Sequence, residues 1–171
     1  MFTVGHSTRS VDEFVELLRG HGVGHVADVR TIPRSRHNPQ FNEDELERSL
    51  SREEIGYIHM KELGGFRHAL KDSPNGGWRN ASFRGFADYM ATAEFREGLE
   101  ELMMIAELRH TAIMCAEAVP WRCHRSLIAD ALLSRGWPVR DILSQTDAPA
   151  HRLTQFARVE RGQLTYSAPP T

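Results

Sequence analysis

Apolar positions along this chain recur with two alternating periods. Phe2-Thr3-Val4 is a short apolar run closed by Gly5-His6, and it predicts a first strand. Ser10 then suits an N-cap, with Glu13 where a capping box needs it, and Phe14, Leu17 and Leu18 follow at helical spacing until Gly20 and Gly22 stop the helix. Val26 to Arg30 predicts a second strand whose polar residues, Asp28 and Arg30, share one face by period two. Pro33 and Pro39 mark a loop carrying Arg34, Arg36 and His37. Asn42 with Glu45 repeats the capping signature, Leu46 and Leu50 give the next helix its buried side, and Ile55–Met60 reads as a third strand. Between Leu63 and Ser82 the pattern breaks. Gly64-Gly65, Pro74 and Gly76-Gly77 predict a long irregular loop, a kind that often serves as a lid or binding loop.

Helical spacing resumes from Phe83 to Met90. It is longest from Ala93 to Leu108, where Phe95, Leu99, Leu102, Met103 and Ala106 form one stripe. His110–Cys115 predicts a fourth strand. A helix after Cys123 buries Leu127, Ile128, Ala131 and Leu132 and is ended by Gly136 and Pro138, and Val139–Leu143 predicts a fifth strand. Segments 156–159 and 164–166 suggest a C-terminal hairpin. This alternation predicts an α/β fold: a single three-layer domain with a mostly parallel sheet of about five strands and helices on both faces. The first 145 residues or so form its core, with an extension from about 146 to 171.

Composition narrows the function classes. The chain has 171 residues, 40% of them hydrophobic and 26% charged, with a formal net charge of -2. That charge does not advertise nucleic acid, so any such contact needs a local basic patch. No apolar run approaches the roughly 18 residues of a membrane span, and the N-terminus lacks the layout of a signal peptide. Two cysteines make no disulfide framework, and the expected compartment is a reducing cytoplasm.

Parallel sheets bind ligands beyond the carboxyl ends of their strands, and the polar residues gather there. His6 and Ser7 follow strand one, Asp28 and Arg30 end strand two, and Cys115 and Glu117 end strand four. Cys115 precedes a helix start with Arg122, His124 and Arg125 nearby, a setting that favours a thiolate. In outline this is similar to the loops of thiol phosphatases and sulfur transferases, which place five residues between the cysteine and an arginine. Here Trp121 holds that position and Arg122 comes one residue later.

The leading expectation is an enzyme acting on an anionic, phosphorylated or nucleotide-like substrate. Cys115 serves as nucleophile or redox thiol, with Glu117, His124 or Asp28 handling protons. Arg30, Arg36 and Arg125 hold the anion, because guanidinium forks suit phosphate and carboxylate. His6 and Ser7 at their turn, and Gly64-Gly65 through close backbone approach, complete the binding set. The sequence leaves any cofactor unknown. Each residue also has a structural reading: Asp28–Arg30 as an ion pair, Cys115 and Cys123 as core cysteines, Gly64-Gly65 as a turn, Trp78 and Trp121 as cover for the core edge. Two other functions compete. One is a non-catalytic module binding nucleic acid or protein through Arg30, Arg34, Arg36 and His37. The other is a metal site using Cys115, Cys123 and His124, with His6 near.

Assembled in order, Val4-Gly5-His6-Ser7, Asp28-Val29-Arg30 with Pro33 and Ser35-Arg36, Leu63-Gly64-Gly65, Phe86 with Tyr89-Met90, Phe95 with Gly98-Leu99, Met114-Cys115-Ala116-Glu117 and Cys123-His124-Arg125 resemble the domain-of-unknown-function family numbered 488. The match runs to about Leu143. The resemblance implies an α/β domain and a bacteria-like cytoplasm, and it implies no reaction.

Overall fold

A computed structural model of the protein describes residues 1–168. Strand β1 (Phe2–Gly5) leads into helix α1 (Val11–Gly20), then β2 (His25–Asp28), α2 (Glu43–Arg52), β3 (Gly56–His59), α3 (Ala81–Tyr89), α4 (Ala93–Leu108), β4 (Thr111–Cys115), α5 (Arg125–Ser134) and β5 (Arg140–Asp141). The five strands form one parallel sheet in the order β3-β2-β4-β1-β5. A separate antiparallel hairpin, β6 (Arg158–Glu160) and β7 (Gln163–Thr165), follows near the C-terminus.

β4 is buried at all five positions, as its unbroken Thr-Ala-Ile-Met-Cys run requires of a strand covered on both faces. Its side chains divide by period two. Ala112 and Met114 join Phe14, Leu18, Leu46 and Leu50 of α1 and α2, while Ile113 and Cys115 join Phe86, Phe95, Leu99 and Leu127 of α3, α4 and α5. The first two helices therefore cover one face and the last three the other.

Local chemistry explains the element boundaries. The Ser10–Glu13 capping box closes in both directions. Asn42 does stand at the N-cap of α2, but the predicted box with Glu45 does not form. Its side-chain oxygen instead accepts from the Ser35 N–H at 2.8 Å, pinning the proline loop to the helix start. The segment from Gly64 to Asn80 lacks regular structure as predicted, and it is held by Asp88, which accepts from Leu70 N–H, Ser73 Oγ and Asn75 Nδ2.

Gly5 fixes the end of the central strands. It pairs in register with Cys115, and the chain leaving β4 crosses over it. A Cβ at residue 5 would lie 1.6 Å from the carbonyl oxygen of Glu117.

Candidate functional site

The strand ends and two loops enclose a crevice of about 380 Å³, the size of a small-molecule pocket. His6 contributes from the end of β1. Arg30, Ile32 and Arg34 contribute from the segment after β2, and Gly65 and Phe66 from the irregular loop. Cys115 and Glu117 lie at the end of β4, and Arg122, Cys123 and His124 at the approach to α5.

Cys115 and Cys123 are paired across the intervening loop, as the structure's disulfide, eight residues apart in sequence. Beneath them lies Arg125, which is 0% exposed although it is the largest fully buried side chain. Its guanidinium donates to Cys115 Sγ at 2.7 Å, to the Glu117 carbonyl at 2.6 Å, to the Ala118 carbonyl at 3.3 Å and to Thr3 Oγ1 at 3.3 Å. None of these partners is a carboxylate. Burial pulls the guanidinium down to about 10, so it remains a cation at neutral pH. A buried cation needs compensation; the carboxylates of Asp141 and Glu117 supply part of it without touching the guanidinium, and a reduced Cys115 is the ionisable group in direct contact.

His124 is held from three sides. Its Nε2–H donates to the carbonyls of Val29 and Leu63, at 2.9 and 3.0 Å. Its Nδ1 therefore carries a lone pair, 3.6 Å from Cys123 Sγ. Burial pushes the ring down to about 4, so it is neutral. Gly65 makes room for it, since a Cβ there would lie 2.6 Å from His124 Nδ1. A Cβ at Gly64 would lie 2.6 Å from Thr31 Oγ1. Neither glycine has a positive φ. Close packing against Thr31 and His124 thus accounts for both glycines, a reason that neither the ligand-approach nor the turn reading included.

Asp28 and Arg30 form the ion pair that their shared face suggested. Arg30 Nε and Nη2 donate to the two oxygens of Asp28 at 2.9 and 2.7 Å, and Tyr57 Oη donates to the same carboxylate at 2.6 Å. Burial alone would lower Arg30, but Asp28 outweighs it and raises the guanidinium. His6 stacks on Phe41 with ring centres 4.3 Å apart. It donates Nδ1–H to the Ser7 carbonyl, which leaves Nε2 facing Arg30 Nη1 at 3.4 Å. Burial lowers it to about 4.

Of the predicted site residues, His6, Arg30, Gly65, Cys115, Glu117 and His124 line one crevice. Asp28, Ser7, Arg36 and Gly64 do not line it, and Arg125 lies under its floor. The backbone N–H groups of His6 and Ser7 are used by the carbonyls of Cys115 and Ala116. Arg34 and Arg122 are exposed at the mouth beside Ile32 and Phe66, which are 60% and 76% exposed. Trp78 packs among Phe83, Phe156 and Tyr166, while Trp121 is exposed.

The metal alternative does not fit this geometry. Cys115 faces a guanidinium, and His124 spends Nε2 on two carbonyls. Among the described residues no group of three or more histidine, cysteine or acidic side chains is arranged to hold an ion.

A second buried cluster adjoins the site and escaped the sequence reading. His151 donates to Asp130 at 2.9 Å and to Asp141 at 2.8 Å. Asp130 also accepts from Thr154 Oγ1 and Tyr166 Oη, and Asp141 accepts from Thr3 Oγ1 at 2.6 Å. Thr3 is the residue that receives Arg125 Nε. The available signal was Asp130 itself, a carboxylate inside the otherwise apolar Leu127–Leu132 stretch, where burial demands partners. Burial disfavours charge on His151, but the bonds to Asp130 and Asp141 outweigh it and raise the ring to about 9. The folded value exceeds the unfolded value of about 6.5. This stabilisation is therefore complete below about pH 6.5 and is lost as pH rises through about 9. Urea unfolding of the wild type should lose on the order of 2–3 kcal/mol across that window, and His151→Gln should lose far less.

A model of the family described as domain of unknown function DUF488 matches residues 10–132, well over half of the chain. The chain belongs to the DUF488 family. No curated protein and no solved structure matches it. The DUF488 match covers most of the crevice wall, from α1 to most of α5, whereas Asp141, His151 and Tyr166 of the second cluster lie beyond it. Among the described residues of this DUF488 protein, no helix is long and apolar enough to cross a membrane.

Proposed function

We propose that this protein is an enzyme that uses the Cys115 thiol on an anionic, phosphorylated or nucleotide-like substrate bound in the crevice. The observation that carries this reading is the buried Arg125 guanidinium, 2.7 Å from Cys115 Sγ and in direct contact with no carboxylate. A cation so placed favours the thiolate once the cysteine is reduced. Arg34 and Arg122 at the mouth are better suited than Arg36 or Arg125 to meet the anion, because both line the crevice and are exposed. Ile32, Phe66 and Phe83 offer apolar surface for a base or other flat group. Glu117, an exposed carboxylate beside Cys115, is the candidate for proton transfer. Asp28, tied to Arg30 and Tyr57, serves better to hold Arg30 in place. The binding-module reading draws on the exposed Arg34, Arg36 and His37 and leaves the buried Arg125–Cys115 contact without a purpose.

Protection from alkylation tests the proposal. With the protein reduced, a nucleoside monophosphate should slow reaction of Cys115 with neutral iodoacetamide in a saturable way. In Arg34→Gln/Arg122→Gln the apparent affinity should fall by about tenfold or more, the scale of losing two charge-assisted contacts. No protection by nucleoside monophosphate or inorganic phosphate, or equal protection in the variant, would count against it.

A further inference from the structure

The two cysteines have different surroundings, and the difference assigns each a task. Cys115 receives a guanidinium N–H at 2.7 Å. Cys123 faces His124 Nδ1, a neutral lone pair fixed by the two carbonyls that hold Nε2–H, and receives only the neutral backbone N–H of Arg125, at 3.5 Å, in place of a cation. When the pair is reduced, the first environment favours a thiolate, and the second favours an S–H held in one orientation. Both sulfurs line the crevice, and they are already paired with each other. An attacking thiolate beside a protonated partner is the arrangement that thiol–disulfide exchange requires.

We infer that this crevice is a dithiol–disulfide exchange site whose substrate is a low-molecular-weight anionic disulfide. The inference rests on the proposal above for the anion-binding mouth and narrows the substrate to a disulfide. In the first step the Cys115 thiolate attacks one sulfur of the substrate. A bond forms from Cys115 Sγ to that sulfur, the substrate S–S bond breaks, and the other half leaves as a thiolate. In the second step Cys123 Sγ attacks Cys115 Sγ. The Cys115–Cys123 bond forms, the mixed disulfide breaks, and the Cys123 proton passes to the departing thiolate. The substrate gains two electrons and the protein loses two, and a cellular dithiol reductant returns the pair to its starting state. Arg34 and Arg122 select a charged substrate, while Phe66 and Ile32 flank its carbon skeleton. His124 is a positioning residue, and Gly65 leaves its ring the space it occupies.

Dithiobis-nitrobenzoate, a dianionic aromatic disulfide, is a suitable probe. One equivalent added to the reduced protein should release two thiolates per chain and leave no adduct. The product mass should be lower than that of the dithiol by two hydrogens. Cys123→Ser should release one thiolate and keep one adduct, on Cys115. Cys115→Ser should react at least about tenfold more slowly, as expected for a thiol without a stabilised thiolate. With excess reagent, two adducts per chain in the wild type would overturn the inference, as would a Cys123 adduct with Cys115 free. These wild-type outcomes hold whether or not a variant folds. Neutral hydroxyethyl disulfide separates the two proposals. If it closes the pair as fast as the dianion does, and Arg34→Gln/Arg122→Gln changes neither rate, exchange stands and the anion-selective mouth falls. If the dianion protects Cys115 but never closes the pair, the mouth stands and exchange falls.

Discussion

Gly5→Ala should destabilise the protein by about 3 kcal/mol, at the top of the usual range for overpacking. The reason is geometric. The new methyl group would lie 1.6 Å from the Glu117 carbonyl oxygen and 3.0 Å from Ala118 Cα, both backbone atoms that no side-chain rotation can move. Relief requires the whole 116–118 segment to lift, and that segment carries two of the carbonyls that receive Arg125. The substitution therefore couples stability to the site: the urea midpoint should fall, and the alkylation rate of Cys115 should change with it. Gly76→Ala is the control, since residue 76 is exposed and has open space where a Cβ would stand. A Gly5→Ala protein within about 1 kcal/mol of wild type would show that the crossing segment is not in firm contact with β1.

Arg125→Met should have the largest effect on chemistry. At neutral pH the reduced variant should alkylate at Cys115 at least about tenfold more slowly, because the thiolate loses the cation that favours it. Stability moves less simply. Methionine removes the cost of burying a cation, which alone would stabilise. It also strips the donor from the Glu117 and Ala118 carbonyls and from Thr3 Oγ1. A fully buried acceptor left unpaired costs about 1–3 kcal/mol; Thr3 Oγ1 is buried while the Glu117 and Ala118 carbonyls are only partly so, and a net loss of about 1–2 kcal/mol is expected. Arg125→Lys separates charge from shape. It keeps the cation and loses the fork, and should recover part of the alkylation rate while leaving some carbonyls unserved. Unchanged alkylation in Arg125→Met would remove Arg125 from any role in Cys115 reactivity.

The sheet was legible because a strand covered on both faces must be apolar throughout. Thr111–Cys115 and Val26–Ala27 meet that demand with no competing reading. Helix α4 was legible to its bounds, Ala93–Leu108, because its stripe repeats for four turns. The Asn42 box was misjudged because an asparagine that can cap a helix can equally bind a loop amide, and the loop was nearer. Strand order was beyond the pattern, which records the faces of each element but not its neighbours. The site was legible as a region and less so as a set of roles. Placing polar residues at strand ends brought His6, Arg30, Cys115 and Glu117 to one crevice, and the helix start after Cys123 added His124. It could not show that Arg125 points beneath the floor, because an arginine at the start of a helix is ordinarily solvated. Nor could it join Asp130, Asp141 and His151, whose proximity depends on a tail folding back onto α5 and β5.

β4 lies between β2 and β1, although it is made after both of them. Until Thr111–Cys115 is available, β2 has only β3 beside it and β1 has no partner at all, since its other neighbour, β5, comes later still. During synthesis the first strand must therefore wait, unpaired, for most of the chain to emerge. Such long-range closure predicts slow folding and an aggregation-prone early state. Cys115 arrives as the last residue of the closing strand, so the thiol meets His6 and Arg30 in the same late event that makes the sheet continuous.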